Sequence, residues 1–197
     1  MEIKLENAQA AFNTADENTK KVLLALLPEL KEKEAQKAAN RSITERVKTF
    51  EDACRELGAD HPFVLAYQNT NLRDPEVSGD NRDILAYMKL RIICAALNEG
   101  WQPEFTENEW RWYPWFTLWT EEELSEKDDE WKSKRVILPT DDYSGDYAGF
   151  ACSSSDNAPS YSDAYFGSRL CLKSEALATY CGKQFISLWA DFNLIVK

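Results

Sequence analysis

The residues able to do chemistry are few. His61 is the only histidine in 197 residues, so any Ser–His or Cys–His nucleophilic pair would have to be built on it. It stands directly before Pro62, a dipeptide that favours a turn, where capping or a surface position is the expected role. A single histidine also excludes a three-histidine metal site. The five cysteines, Cys54, Cys94, Cys152, Cys171 and Cys181, are odd in number and contain no C-x-x-C pair. Neither a disulfide framework nor a zinc site is expected from them; reduced thiols in a cytoplasm are. The group Asp141, Asp142 and Asp146 around Gly145 has the acids of a calcium loop but not its alternating ligands or closing Glu. No phosphate-binding glycine loop, dinucleotide fingerprint or nucleophile elbow is present, and no spacing singles out a glycosidase-like pair among the 34 acids. The expectation is a protein that is not an enzyme, with no catalytic residues, no metal and no cofactor.

Binding chemistry has better candidates. Eight aromatic residues fall between Trp101 and Trp119, among them Trp110, Trp112, Trp115 and Trp119. These four could form a platform on which sugars, bases or a partner's side chains stack. The alternative is a sheet face packed in the core, the ordinary place for aromatic strands. Residues 121–130 carry seven carboxylates and one lysine, either a cation or basic-partner site or a solvated helix or loop. In GSRLCLKS (residues 167–174), alternation puts Arg169, Cys171 and Lys173 on one side and Leu170 and Leu172 on the other. Arg169 and Lys173 would then stand beside a helix start as an anion site, unless neighbouring acids pair with them.

Charge narrows the partners further. The formal net charge is −11, from 23 basic and 34 acidic side chains. A surface this acidic repels a phosphate backbone, which argues against double-stranded nucleic acid. Residues 1–100 carry 14 basic and 17 acidic groups, and residues 101–197 carry 9 and 17, so most of the surplus lies in the second half. All seven tryptophans lie there too. The apolar stretches at residues 22–27 and 92–97 are far shorter than the roughly 18 residues needed to cross a bilayer, and MEIKLENAQAAF has no secretory-signal pattern.

The elements that would hold these residues can be read from local signals. Thr14 and Glu17 have capping-box spacing, the run at 22–27 ends at Pro28, and residues 29–40 read as a solvated linker helix. A soft boundary near residue 41 would separate a segment 1–41 from a domain 42–197. Thr49 and Asp52 form another capping box, for a helix over residues 50–57 that stops at Gly58. Asp80 or Asn81 should cap a helix whose end, after Leu90, is apolar on nearly all sides and central to the core; Gly100 ends it. Period-two aromatics then predict a strand near residues 110–119, with Pro114 at an edge or bulge. Shorter strands are expected at 135–138, 147–152 and 168–172, and a closing helix opened by Ser174 carries Leu177, Cys181, Phe185, Leu188, Trp189 and Phe192 on one face. The fold class is α+β: N-terminal helices, a small antiparallel sheet from about residue 110 to 172, and a C-terminal helix packed on it.

Several segments together resemble a family of uncharacterised proteins encoded by phages, prophages and mobile elements of gut Bacteroidetes. They are ITERVKTFEDACRELG (43–58), ALNEGWQPEF (96–105), YPWFTLW (113–119), GSRLCLKS (167–174) and TYCGKQFISLW (179–189). The likeness covers most of residues 43–197 apart from 120–166, and ENAQAAFNTADENTKKVLLALL is similar to a helical segment found ahead of it. The resemblance implies a source, a bacterial host cytoplasm, and no activity or catalytic residue. With the acidic surface it suggests a module that works by contact with a protein partner. Two other readings are a binding module for carbohydrate or single-stranded nucleic acid, and an anti-defence protein whose carboxylates imitate DNA.

Overall fold

The structure is a computed structural model and describes residues 4–74, 77, 81–104, 109–159 and 168–197. It divides into two compact units, Met1–Arg46 and Val47–Lys197.

The first unit holds α1 (Leu5–Thr14), α2 (Glu17–Leu26), α3 (Pro28–Ala39) and the single turn α4 (Ile43–Arg46). The start of α2 differs from the Thr14–Glu17 reading. Asp16 is the N-cap, its carboxylate accepting from the Thr19 amide at 2.8 Å, while the Thr14 hydroxyl donates back to the carbonyls of Ala10 and Ala11. A carboxylate one residue before the helix reaches a free amide and also faces the positive end of the helix dipole, so it displaces the more distant hydroxyl. Pro28 opens α3, where a missing N–H costs nothing. Leu30 is fully buried while most of α3 beyond it is exposed, and Gln9 donates to Glu34 at 2.7 Å to tie α1 to α3.

In the second unit, α5 (Phe50–Leu57) begins with the expected box: Thr49 accepts from the Asp52 amide and Asp52 from the Thr49 amide. It ends at Gly58, whose φ of +90° is a conformation L side chains rarely adopt. Next come α6 (Pro62–Asn69), a 3₁₀ turn (Asn71–Arg73) and α7 (Arg82–Leu97). Asn81 precedes α7 without a side-chain cap bond, and Asp80 lies outside the described residues. Leu90, Ile92, Ile93, Cys94, Ala96 and Leu97 are all buried, as an end apolar on every side requires.

The strand β1 (Trp110–Trp119) has the bounds the aromatic alternation suggests. It is followed by α8 (Glu121–Ser125), α9 (Asp129–Ser133), β2 (Val136–Pro139) and β3 (Gly149–Pro159). The sheet is antiparallel in the order β1-β3-β2, so β1 is an edge. Trp112 exchanges both backbone hydrogen bonds with Leu172 on the side away from β3. That bridge sets the parity: even-numbered amides of β1 point outward, so Pro114 removes a donor from the open edge and not from the β1–β3 ladder. A bulge follows one residue later, where Trp115 pairs with Ser154 but Phe116 with Cys152.

Two expected elements take another form. Residues 168–172 are a 3₁₀ turn (Ser168–Leu170) plus the one bridge at Leu172, so among the described residues β3 is the last strand of the sheet. Leu170, Cys171 and Leu172 are buried in succession, without the alternation of a strand. Buried Asn98 imposes this by donating to the Cys171 carbonyl at 2.9 Å and accepting from the Lys173 amide at 3.0 Å. The closing helix is two helices, α10 (Glu175–Gln184), capped by Ser174 as expected, and α11 (Ile186–Asn193). Phe185, at φ −115° and ψ 30°, breaks them apart. The break lets α10 lie on β1 and β3 while α11 turns onto α7. Close approach of α10 depends on Gly182, where a Cβ would stand 2.6 Å from Cys152 Sγ and 2.7 Å from Pro114 Cβ.

Candidate functional site

Strand alternation separates the four tryptophans of β1. Trp110 and Trp112 share one face, and Trp115 and Trp119 the other. Trp110 is 54% exposed and Trp115 51%, whereas Trp112 and Trp119 are half-buried. Between them Arg111, Tyr113 and Pro114 are buried, and Phe116 stacks on Phe150 at 4.6 Å and meets Trp189 at 5.5 Å. The cluster is thus partly core and partly surface. Trp119 is engaged within the chain: Trp131 of α9 meets it edge-on at 4.9 Å, and Lys127 lies over both rings at 5.0 and 5.6 Å. The Arg135 guanidinium lies over Trp131 in turn, 3.8 Å from the ring centroid.

The acidic run folds as two short helices. Thr120 and Glu123 form a capping box on α8, and Asp128 caps α9 through the Trp131 amide at 2.7 Å. Glu121, Glu122, Asp129 and Glu130 sit in first turns, where carboxylates are stabilised by the unpaired amides and the helix dipole. Part of the density of acid is thereby a consequence of two helix starts within ten residues. Asp141 and Asp142 are exposed in a loop that holds the C-terminus, with Lys197 Nζ donating to the Asp141 carbonyl at 2.8 Å. Among the described residues no group of three or more His, Cys, Asp or Glu side chains is arranged to hold a metal.

Arg169 and Lys173 have different surroundings. Lys173 Nζ is ion-paired to Glu99 at 2.8 Å, beside the start of α10. Arg169 is exposed and lines a cavity of about 520 Å³ with His61, Phe63, Arg91 and Trp101. Residue spacing did not reveal this cavity, because its walls come from α5, α6, α7, the segment after α7 and the 3₁₀ turn before α10. His61 caps α6, its Nδ1 accepting from the Phe63 amide at 3.3 Å, and its ring meets Phe63 edge-on. The Arg91 guanidinium lies 3.8 Å over the opposite partner in that pair, the Phe63 ring.

The thiols are poor nucleophiles. Cys94, Cys152, Cys171 and Cys181 are buried and none is in a disulfide. Burial pushes Cys152 and Cys171 up to about 11. A hydrogen bond with Cys181, together with burial, pushes Cys94 well above the ordinary thiol value. Burial likewise raises Tyr113 to about 12, and burial plus the hydrogen bond to Asp191 raises Tyr143 to about 12. Every one of these shifts favours the neutral form, the opposite of what an activated nucleophile needs.

Among the described residues no helix is long and apolar enough to cross a membrane. No family model, curated protein or solved structure matches the chain.

Proposed function

We propose that this chain is a non-enzymatic protein–protein interaction module of a phage or mobile element, acting in the cytoplasm of its bacterial host. The observation that carries the reading is the half-exposure of Trp110 and Trp115 on an edge strand where Arg111, Tyr113 and Pro114 between them are buried. A tryptophan left this exposed forfeits much of its burial energy in the free chain, and side chains of this type are the commonest anchors of protein interfaces. Both are held on a hydrogen-bonded strand, so little conformational entropy is lost when a partner covers them. Pro114, a missing donor at the open edge, disfavours strand addition and directs recognition to side chains. Trp110 and Trp115 stand on opposite faces of β1, which suits a partner that wraps the edge better than a single row of stacked rings.

A photo-crosslinking amino acid at position 115, introduced in the native host, tests the proposal. The expected result is one defined protein adduct, absent when the crosslinker sits at Lys132 and lost with Trp110→Ser. An adduct pattern identical at both positions would sink it.

A further inference from the structure

In a chain of net charge −11, the cavity of about 520 Å³ is lined among the described residues by two arginines, Arg91 and Arg169, and by no carboxylate. That volume lies within the range of small-molecule sites. Lys173, four positions beyond Arg169, is by contrast neutralised by Glu99 at 2.8 Å. Neither cavity arginine has an ion pair among the described residues. The Arg91 guanidinium instead lies over the Phe63 ring, 3.8 Å from its centroid, and its Nε is buried with no hydrogen-bond partner. Contact with an aromatic face holds a guanidinium in place without consuming its N–H donors, which can still grip a carboxylate or phosphate.

The remaining walls complete a recognition surface. His61 accepts a backbone hydrogen bond through Nδ1, which leaves its proton on Nε2 as a further donor. Trp101 is half-buried, packed against Tyr113 and Cys171, and also lines the cavity. Asn98 spends both ends of its amide on Cys171 and Lys173, so it serves as a brace that fixes the Arg169 turn against α7.

We infer that this cavity binds a small organic anion that combines a planar ring with a carboxylate or phosphate. The ring would stack on Trp101, and the anionic group would sit between Arg91 and Arg169. This site is separate from the tryptophans of β1, and either can fail without the other.

Titration calorimetry and amide NMR of the whole chain test the inference with named probes. Adenosine monophosphate carries a ring and a phosphate, indole-3-acetate a ring and a carboxylate, and adenosine, indole and inorganic phosphate each lack one part. The expected result is saturable binding of at least one two-part probe, shifting amides at residues 61–63 and 98–102, and weaker at high salt. Which probe binds distinguishes a phosphate from a carboxylate ligand. Arg169→Gln, at an exposed position that leaves the core intact, and Arg91→Gln should each weaken binding at least tenfold, while Arg91→Lys retains the charge and loses the fork. Failure of both two-part probes to shift these amides at millimolar concentration would overturn the inference. So would equal binding by the single-part compounds, or unchanged binding by the Arg169→Gln protein with its wild-type melting curve.

Discussion

Reactivity in this protein is decided by where individual side chains lie. Cys94, Cys152, Cys171 and Cys181 are enclosed where the thiolate is disfavoured, whereas Cys54 on α5 is only half-buried. Burial, with help from Glu51, raises Cys54 as well, but its access to solvent governs the rate. Native-state alkylation followed by mass spectrometry should therefore label Cys54 first, with the other four labelled only as the chain unfolds. Labelling of all five at similar rates would contradict the packing of α10 on the sheet and of α11 on α7. The tyrosines follow the same rule at the alkaline end. Tyr143 and Tyr113 are raised to about 12, so the neutral form is the folded form's preference. The stability they contribute is complete below the ordinary tyrosine pKa and is lost as pH rises through about 12.

At the scale of elements, the start of α5 is the clearest case of a local signal that becomes structure. Burial alone would raise the Asp52 carboxyl. The amides of Lys48 and Thr49, the Thr49 hydroxyl and the Arg55 guanidinium together hold it below its ordinary value. A depressed carboxylate contributes stability above the unfolded-state pKa and loses it as pH falls through the lower folded-state value. Thr49→Ala should cost about 1 kcal/mol. Asp52→Asn should flatten the fall in stability on acidification, and urea midpoints measured from neutral to acid pH check both. The two helices α10 and α11 show the reverse situation. The apolar positions from Leu177 to Phe192 are continuous in the sequence, yet the backbone breaks at Phe185 because the two halves pack on different partners.

For the molecule as a whole, the second unit carries its own core. Val47, Val64, Leu90, Ile93, Leu97, Leu170, Leu172 and Trp189 are all buried within Val47–Lys197. The Tyr180 hydroxyl donates to the Val47 carbonyl at 2.7 Å and the Gln184 amide to the Lys48 carbonyl at 2.8 Å, so the beginning of that unit is fastened to α10. A chain comprising residues 47–197 is expected to unfold cooperatively and to keep the near-ultraviolet circular dichroism of the intact protein, since every tryptophan lies within it. Loss of that signal on truncation would show the core to be incomplete.

Capping and periodicity are near-neighbour properties, and they are what the amino-acid sequence determined by itself. Thr49 with Asp52, Ser174, Gly58 and the bounds of β1 all follow from contacts within a few residues. The acidic run was legible as exposed charge for the same reason. Tertiary structure alone decided which tryptophans face solvent, because burial depends on what packs from distant segments: Trp131 shelters Trp119 while Trp110 and Trp115 stay open. It also turned residues 168–172 from a strand into a turn that buries Leu170, Cys171 and Leu172, through one asparagine more than seventy positions earlier. By that turn Arg169 is brought to the same cavity as Arg91, Phe63 and Trp101. No local pattern encodes such a meeting, since it arises only when separate helices close around a common space.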